Sequence, residues 1–163
     1  MIAQFATNDF CLKCKLCCRF VHRDSVWVPH LTDEDCDTMS KDKEAHHFIS
    51  RSKTIDPVPM SDKDVFVCPL LTVANNKCRI YETRPFECRL YPFLINRKEG
   101  TVFLAVDVNC PYVEERITLP EFKTYVTYLV GQLTTPAMLE MLRNNPGIIH
   151  SYTGARTLVR LDV

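Results

Sequence analysis

Glycine is scarce in this chain, four in 163 residues. No stretch is low in complexity and none repeats, which excludes a repeat array and argues against a disordered tail. Surplus charge is also missing, with 20 Lys and Arg set against 20 Asp and Glu. A nucleic-acid binder draws its affinity from a basic excess that neutralises phosphate, so that class has no support. No run reaches the ~18 consecutive apolar residues of a membrane span. The opening stretch MIAQFATNDFCLK has no basic segment leading into an apolar one, so it does not read as a signal peptide. The expectation is a soluble protein of the cytoplasm with no nucleic-acid partner and no membrane. A Ser–His–Asp order, a phosphate loop, an HExxH helix and a GxGxxG element are all absent, and no residue is marked as catalytic.

What the chain does have is nine cysteines. Cytosolic thiols stay reduced, so an odd count with two-residue spacings reads as metal binding or redox chemistry rather than a disulfide framework. The length predicts one α+β domain over residues 1–163. Within it, residues 8–112 form a cysteine-bearing unit of short hairpins and helices, and residues 113–163 a helical C-terminal extension.

Local patterns fill in that outline. SVWVP (25–29) and VFVCPLL (65–71) read as strands, the second forming a hairpin with CRIY (78–81) through NNKC. Thr32 reads as a helix N-cap followed by acids, and Pro85 opens a short helix that carries Cys88. Residues 41–64 read as helix remnants and then a surface loop. A second hairpin turns at KEG (98–100). Thr118 reads as the cap of a helix whose residues Phe122, Val126, Leu129, Val130 and Leu133 make one apolar stripe. A further helix starts at Thr135–Pro136, and LVRLDV alternates like a final strand.

Four of the cysteines, Cys11, Cys14, Cys17 and Cys18, fall within CLKCKLCC (11–18). Two-residue spacing lets thiolates converge on one centre while backbone N–H groups turn toward the sulfurs, as in zinc knuckles and iron–sulfur loops. Cys17 and Cys18 are harder to place on one ion, because neighbouring side chains on extended backbone point apart. One is therefore expected to complete an N-terminal set, with the other joining Cys68, Cys78 and Cys88. Those three recur at ten-residue intervals, and Cys110 follows the second hairpin. Together these eight suffice for two four-thiolate sites. Cys36 is left over in a helix among acids, and a buried free thiol is its simpler reading. The Cys–Pro steps at 68–69 and 110–111 fit iron–sulfur ligation, though proline also ends strands and helices. Lys13, Lys15, Arg19, Arg79 and Arg89 sit beside candidate ligands and would offset a negative thiolate site, or simply face solvent. His46 and His47 lack a cysteine at ligand spacing and read as surface or capping residues.

CLKCKLCC followed by CPLLTVANNKCRIYETRPFECRLYPF closely resembles the CxxCxxCC (YkgJ-like) family of zinc- or iron-chelating proteins. The resemblance spans about residues 8–112. It implies Cys11, Cys14, Cys17, Cys18, Cys68, Cys78 and Cys88 as ligands, and carries over Cys110 as well from beyond the coupled motifs. It also aligns Arg84–Pro85 with an Arg–Pro step between two ligands. Arg84, Arg89, Tyr81 and Tyr91 are the residues expected to surround the metal. The reading that follows is a metal–thiolate protein binding an iron–sulfur cluster of the 4Fe–4S type. It would serve electron transfer or accessory redox chemistry on a protein redox partner or protein substrate. Two alternatives stand beside it: a Zn2+-stabilised interaction module without activity, and a metal storage or trafficking protein.

Overall fold

The computed structural model describes residues 2–14, 16–60 and 65–163. It is an α+β protein with six α-helices and small antiparallel sheets among the described residues. The chain groups into two compact units, residues 7–88 and residues 1–6 with 89–163. Grouped by packing, the second hairpin of the sequence belongs with the C-terminal helices rather than with the cysteine loops.

The 7–88 unit is built from short pieces. Helix α1 (Asn8–Lys13) leads to strand β1 (Arg19–Phe20). Helix α2 (Asp33–Ser40) follows, and a short 3-10 turn spans Ala45–Phe48. Strands β2 (Val58–Pro59) and β3 (Phe66–Val67) complete a three-stranded sheet in the order β1-β3-β2. Strands β4 (Leu71–Thr72) and β5 (Lys77–Cys78) form a hairpin, and helix α3 (Phe86–Leu90) begins just after Pro85. Buried Phe20, Val28, Leu31, Met39, Ile55, Leu70 and Ile80 make the core.

Two local expectations hold here and one fails. Thr32 caps α2 in a full capping box: its side chain accepts from the Asp35 N–H, and the Asp35 carboxylate accepts from the Thr32 N–H. Arg84 is extended (φ −60°, ψ 148°), as a residue before proline must be, and the helix starts beyond Pro85. Residues 25–29 are not a strand. The Ser25 carbonyl accepts from the Val28 N–H and the Ser25 hydroxyl accepts from the Trp27 N–H, so a serine-initiated turn takes the donors that a ladder would need. The 65–71 run is divided at Pro69, which cannot donate to a ladder, so its two ends pair with different partners.

In the other unit, β6 (Phe93–Lys98) and β7 (Thr101–Val106) pair over six residues, and β8 (Arg156–Leu161) adds to β7. Glu99 and Gly100 both take positive φ (52° and 77°), the mirror-image turn that matches strand twist. Helices α4 (Pro111–Glu114), α5 (Pro120–Leu133) and α6 (Pro136–Asn144) follow the hairpin. Phe122, Leu129 and Leu133 of the expected stripe are buried, with Val126 and Val130 at its margins. Thr118 does not cap α5; the N-cap is Leu119. Pro120 starts the helix without needing a capped N–H. Phe5 packs edge-on against Phe93, Tyr112 and Phe122, with ring centroids 5.6, 5.3 and 5.6 Å away. The Ala3 carbonyl accepts from the Tyr125 hydroxyl at 2.5 Å. Aromatic packing and these backbone contacts anchor residues 2–6 in this unit.

Candidate metal centre

Strand pairing brings distant cysteines together. In the β1–β3 register Arg19 faces Val67, so the next pair outward is Cys18 opposite Cys68, and the Cys68 N–H donates to the Cys18 carbonyl at 3.0 Å. A tight turn follows, the Leu71 N–H donating to the Cys68 carbonyl at 3.0 Å, and it reverses the chain into β4. Leu71 then faces Cys78 in β5. Two short ladders joined by one turn thus place Cys18, Cys68 and Cys78 in succession.

Electrostatics show which thiols share surroundings. Burial pushes the Cys88 thiol well above its ordinary range, and Cys68, Cys78 and Cys17 push it further. Burial raises Cys68 to about 11, with Cys78 and Cys17 adding to the effect. Cys78 is raised by burial and also feels Cys17. Cys17 is raised well above its ordinary value first by its hydrogen bond with Cys18. Cys17, Cys68, Cys78 and Cys88 therefore form one group of four thiols within mutual electrostatic reach.

Stabilisers of the thiolate form surround that group. The Leu70 N–H donates toward the Cys68 sulfur and the Ile80 N–H toward Cys78, in each case two residues ahead of the cysteine. Metal-bound thiolates accept such N–H bonds in knuckle loops. Arg79 lowers both Cys68 and Cys78, Arg84 lowers Cys78, and Arg19 lowers Cys17. The Arg79 side chain is fixed by the Pro69 carbonyl and by Glu44. The Arg84 guanidinium lies 3.9 Å over the Tyr81 ring.

Cys17 and Cys18 depart from expectation. Their sulfurs do not point apart; they are 4.0 Å from one another and share a hydrogen bond. The reason is local: the Arg19 N–H donates to the Leu16 carbonyl at 3.0 Å, so the pair occupies the two central positions of a turn rather than a pleated strand. Two thiolates on one tetrahedral ion with bonds of about 2.3 Å stand roughly 3.8 Å apart, so these two sulfurs lie within reach of the same metal.

Cys11 lies in α1 and Cys14 is its C-cap, three residues apart and so on one side of the helix. Two residues that the sequence reading passed over hold that helix. Asn76, at φ 55° in the β4–β5 turn, donates to the Leu12 carbonyl and accepts from Arg19. Asn8 accepts from the Tyr81 hydroxyl. Cys110, Arg89 and Tyr91 belong to the 89–163 unit, where Cys110 is buried ahead of α4 and the Tyr91 hydroxyl donates to Asp107 at 2.9 Å. Cys36 packs against the core of the 7–88 unit, and its thiol is raised by burial. His46 and His47 are exposed, His46 hydrogen-bonded to the Asp42 carbonyl. Lys15 lies outside the described residues.

Asp35 is the other residue missed. Besides boxing α2, its buried carboxylate accepts the Phe86 N–H at 3.1 Å and so positions the first turn of α3, which carries Cys88. The Thr32 cap followed by acids was legible, but the reach of Asp35 to Phe86 was not. Asp35→Ala strands two buried N–H donors at about 1–3 kcal/mol each, an expected loss of roughly 3 kcal/mol in urea unfolding, with Asp35→Asn losing less.

Burial gives a signed pH dependence. Burial raises the Cys68 thiol from its ordinary 9.0 to about 11, so in the folded loops it carries a proton that metal must displace. Metal affinity should therefore rise with pH across that range, because binding must expel the thiol protons. Metal titrations at several pH values check the sign; affinity that is flat or falls as pH rises would contradict it.

Exposed Cys17, half-buried Cys78 and Cys88 and buried Cys68, with turned N–H groups and guanidinium neighbours, make a thiol-rich region of the 7–88 unit. Thiolate sulfur is a donor that zinc and iron both take. Among the described residues no three of the sulfurs come within 4.8 Å of one another. Residues 10–111 match the family model CxxCxxCC, "putative zinc- or iron-chelating domain", and the chain belongs to that family. No curated protein and no solved structure matches it.

Proposed function

We propose that this chain binds an iron–sulfur cluster of the 4Fe–4S type and serves electron transfer or accessory redox chemistry in a protein- or cofactor-modification pathway of the cytoplasm. Its partner would be a protein redox partner or protein substrate. The observation that carries this reading is the concentration of eight of the nine cysteines within residues 7–88, four of them grouped. Four grouped thiols match the four-cysteine ligation of a 4Fe–4S cluster, and the two-residue spacing of Cys11, Cys14 and Cys17 is the habit of iron–sulfur loops.

A bound cluster supplies one-electron chemistry; the chain supplies its setting. Buried Cys68 excludes water from one side. The Leu70 and Ile80 N–H groups orient two sulfurs, and Arg19, Arg79 and Arg84 offset thiolate charge, which raises a reduction potential.

A second reading, a closed Zn2+ site that holds an interaction module together, is favoured by the 4.0 Å Cys17–Cys18 separation. Anaerobic purification followed by iron, zinc and acid-labile sulfide analysis separates the two. Brown protein with iron and sulfide in equal amounts is expected. Colourless protein with stoichiometric zinc and no sulfide would replace the first reading with the second.

A further inference from the structure

The Cys17–Cys18 turn offers chemistry beyond ligation. We propose that Cys17 and Cys18 form a reversible disulfide with each other, and that closing it releases metal from the group containing Cys17, Cys68, Cys78 and Cys88; the release half rests on the function proposed above. Three features support it. The sulfurs are already on one side of the turn, 4.0 Å apart and hydrogen-bonded. Cys17 is the exposed cysteine of the nine, so a soluble oxidant reaches this turn before it reaches buried Cys68. Finally, Cys17 is within electrostatic reach of the three remote thiols, so one bond would take a thiol out of that group and tie up its neighbour.

The reaction needs an oxidant, and a low-molecular-weight disulfide such as oxidised glutathione is the class that fits. One thiolate of the pair attacks the glutathione disulfide, forming a mixed disulfide and releasing one glutathione thiolate. The second cysteine attacks the protein sulfur of that bond and expels the other glutathione. Two cysteine thiols and one disulfide thus become one protein disulfide and two glutathione thiols, with the two thiol protons carried by the glutathiones.

Reversibility follows from geometry. Adjacent Cα atoms are about 3.8 Å apart across a trans peptide, below the usual ~4.4–6.8 Å of a disulfide, so the ring that forms is strained. Strained bonds are the readily reduced ones, suited to a switch rather than a staple.

The test starts from metal-loaded full-length protein, kept anaerobic and treated with oxidised glutathione. Metal release is followed over time, and samples are alkylated, digested with trypsin and weighed. Peptide 16–19 should lose two hydrogens in step with metal release, and dithiothreitol with fresh metal should restore both. The Cys36→Ser variant should behave as the parent does. Metal release with Cys17 and Cys18 still reduced, capped by glutathione, or joined to Cys14 or Cys68 would overturn the proposal. A protein that forms the 17–18 bond but never held metal would overturn the proposed function and the release half while upholding the pairing.

Discussion

Stripping the metal is expected to unfold residues 7–88 and to leave residues 89–163 folded. The strands of the first unit are two residues long and its longest helix has eight residues, so little of it is held by regular hydrogen bonding. Isolated elements of that size are not stable in water. Its core of Phe20, Leu31, Met39, Ile55, Leu70 and Ile80 is small, and Cys68 sits in it with Cys18 and Cys78 packed against it, so the candidate ligands and the core share the same contacts. Structural metal contributes about 10–16 kcal/mol of apparent folding energy in zinc-finger peptides, more than the whole stability of many domains. The second unit differs: its three strands are six residues long, β6 and β7 pair in unbroken register and β7 pairs with β8 through one bulge at Leu104/Ala105, and α5 runs for 14 residues with Phe122, Leu129 and Leu133 buried. Hydrogen exchange after anaerobic chelation should show protection lost across residues 7–88 and kept across β6, β7 and α5. Loss of protection in both units together would show that they fold as one.

Metal retention should sort the cysteines sharply. Cys68→Ala and Cys88→Ala each remove one member of the four-thiol group, and both are expected to lower metal affinity by at least about 100-fold, beyond the ~10–100-fold typical of residues that merely support ligands. Cys36→Ala should leave metal content near the parent value, since Cys36 packs on the core from α2 and takes no part in the group. Alanine is preferred to serine at Cys68, where a hydroxyl would be buried. Metal per chain, measured on folded monomeric fractions, decides the matter. Metal lost on replacing Cys36, or kept on replacing Cys88, would mean the grouping is wrong.

Legibility in the sequence followed the range of the forces involved. The KEG turn, the Thr32 cap and the 122–133 stripe were readable because each depends on neighbours within a few residues. SVWVP misled because Ser25 captures nearby donors, a competition that β-propensity does not register. The cysteine motif announced a thiol-rich site, yet which thiols share it depends on the β1–β3 register and on Pro69 splitting a run that reads as one strand. Asp35 reaching Phe86 and Asn76 reaching Leu12 span 51 and 64 residues, and no local pattern encodes either. Cys17 and Cys18 were misjudged for a related reason: alternation holds on strands, and this pair sits in a turn.

X-ray absorption at the metal edge, on protein purified without oxygen, tests the central claim most directly. A first shell of sulfur alone near 2.3 Å, with iron as the absorbing metal and a second shell of iron, is the expected result. A first shell of nitrogen and oxygen near 2.0–2.1 Å would contradict a thiolate centre built from these cysteines.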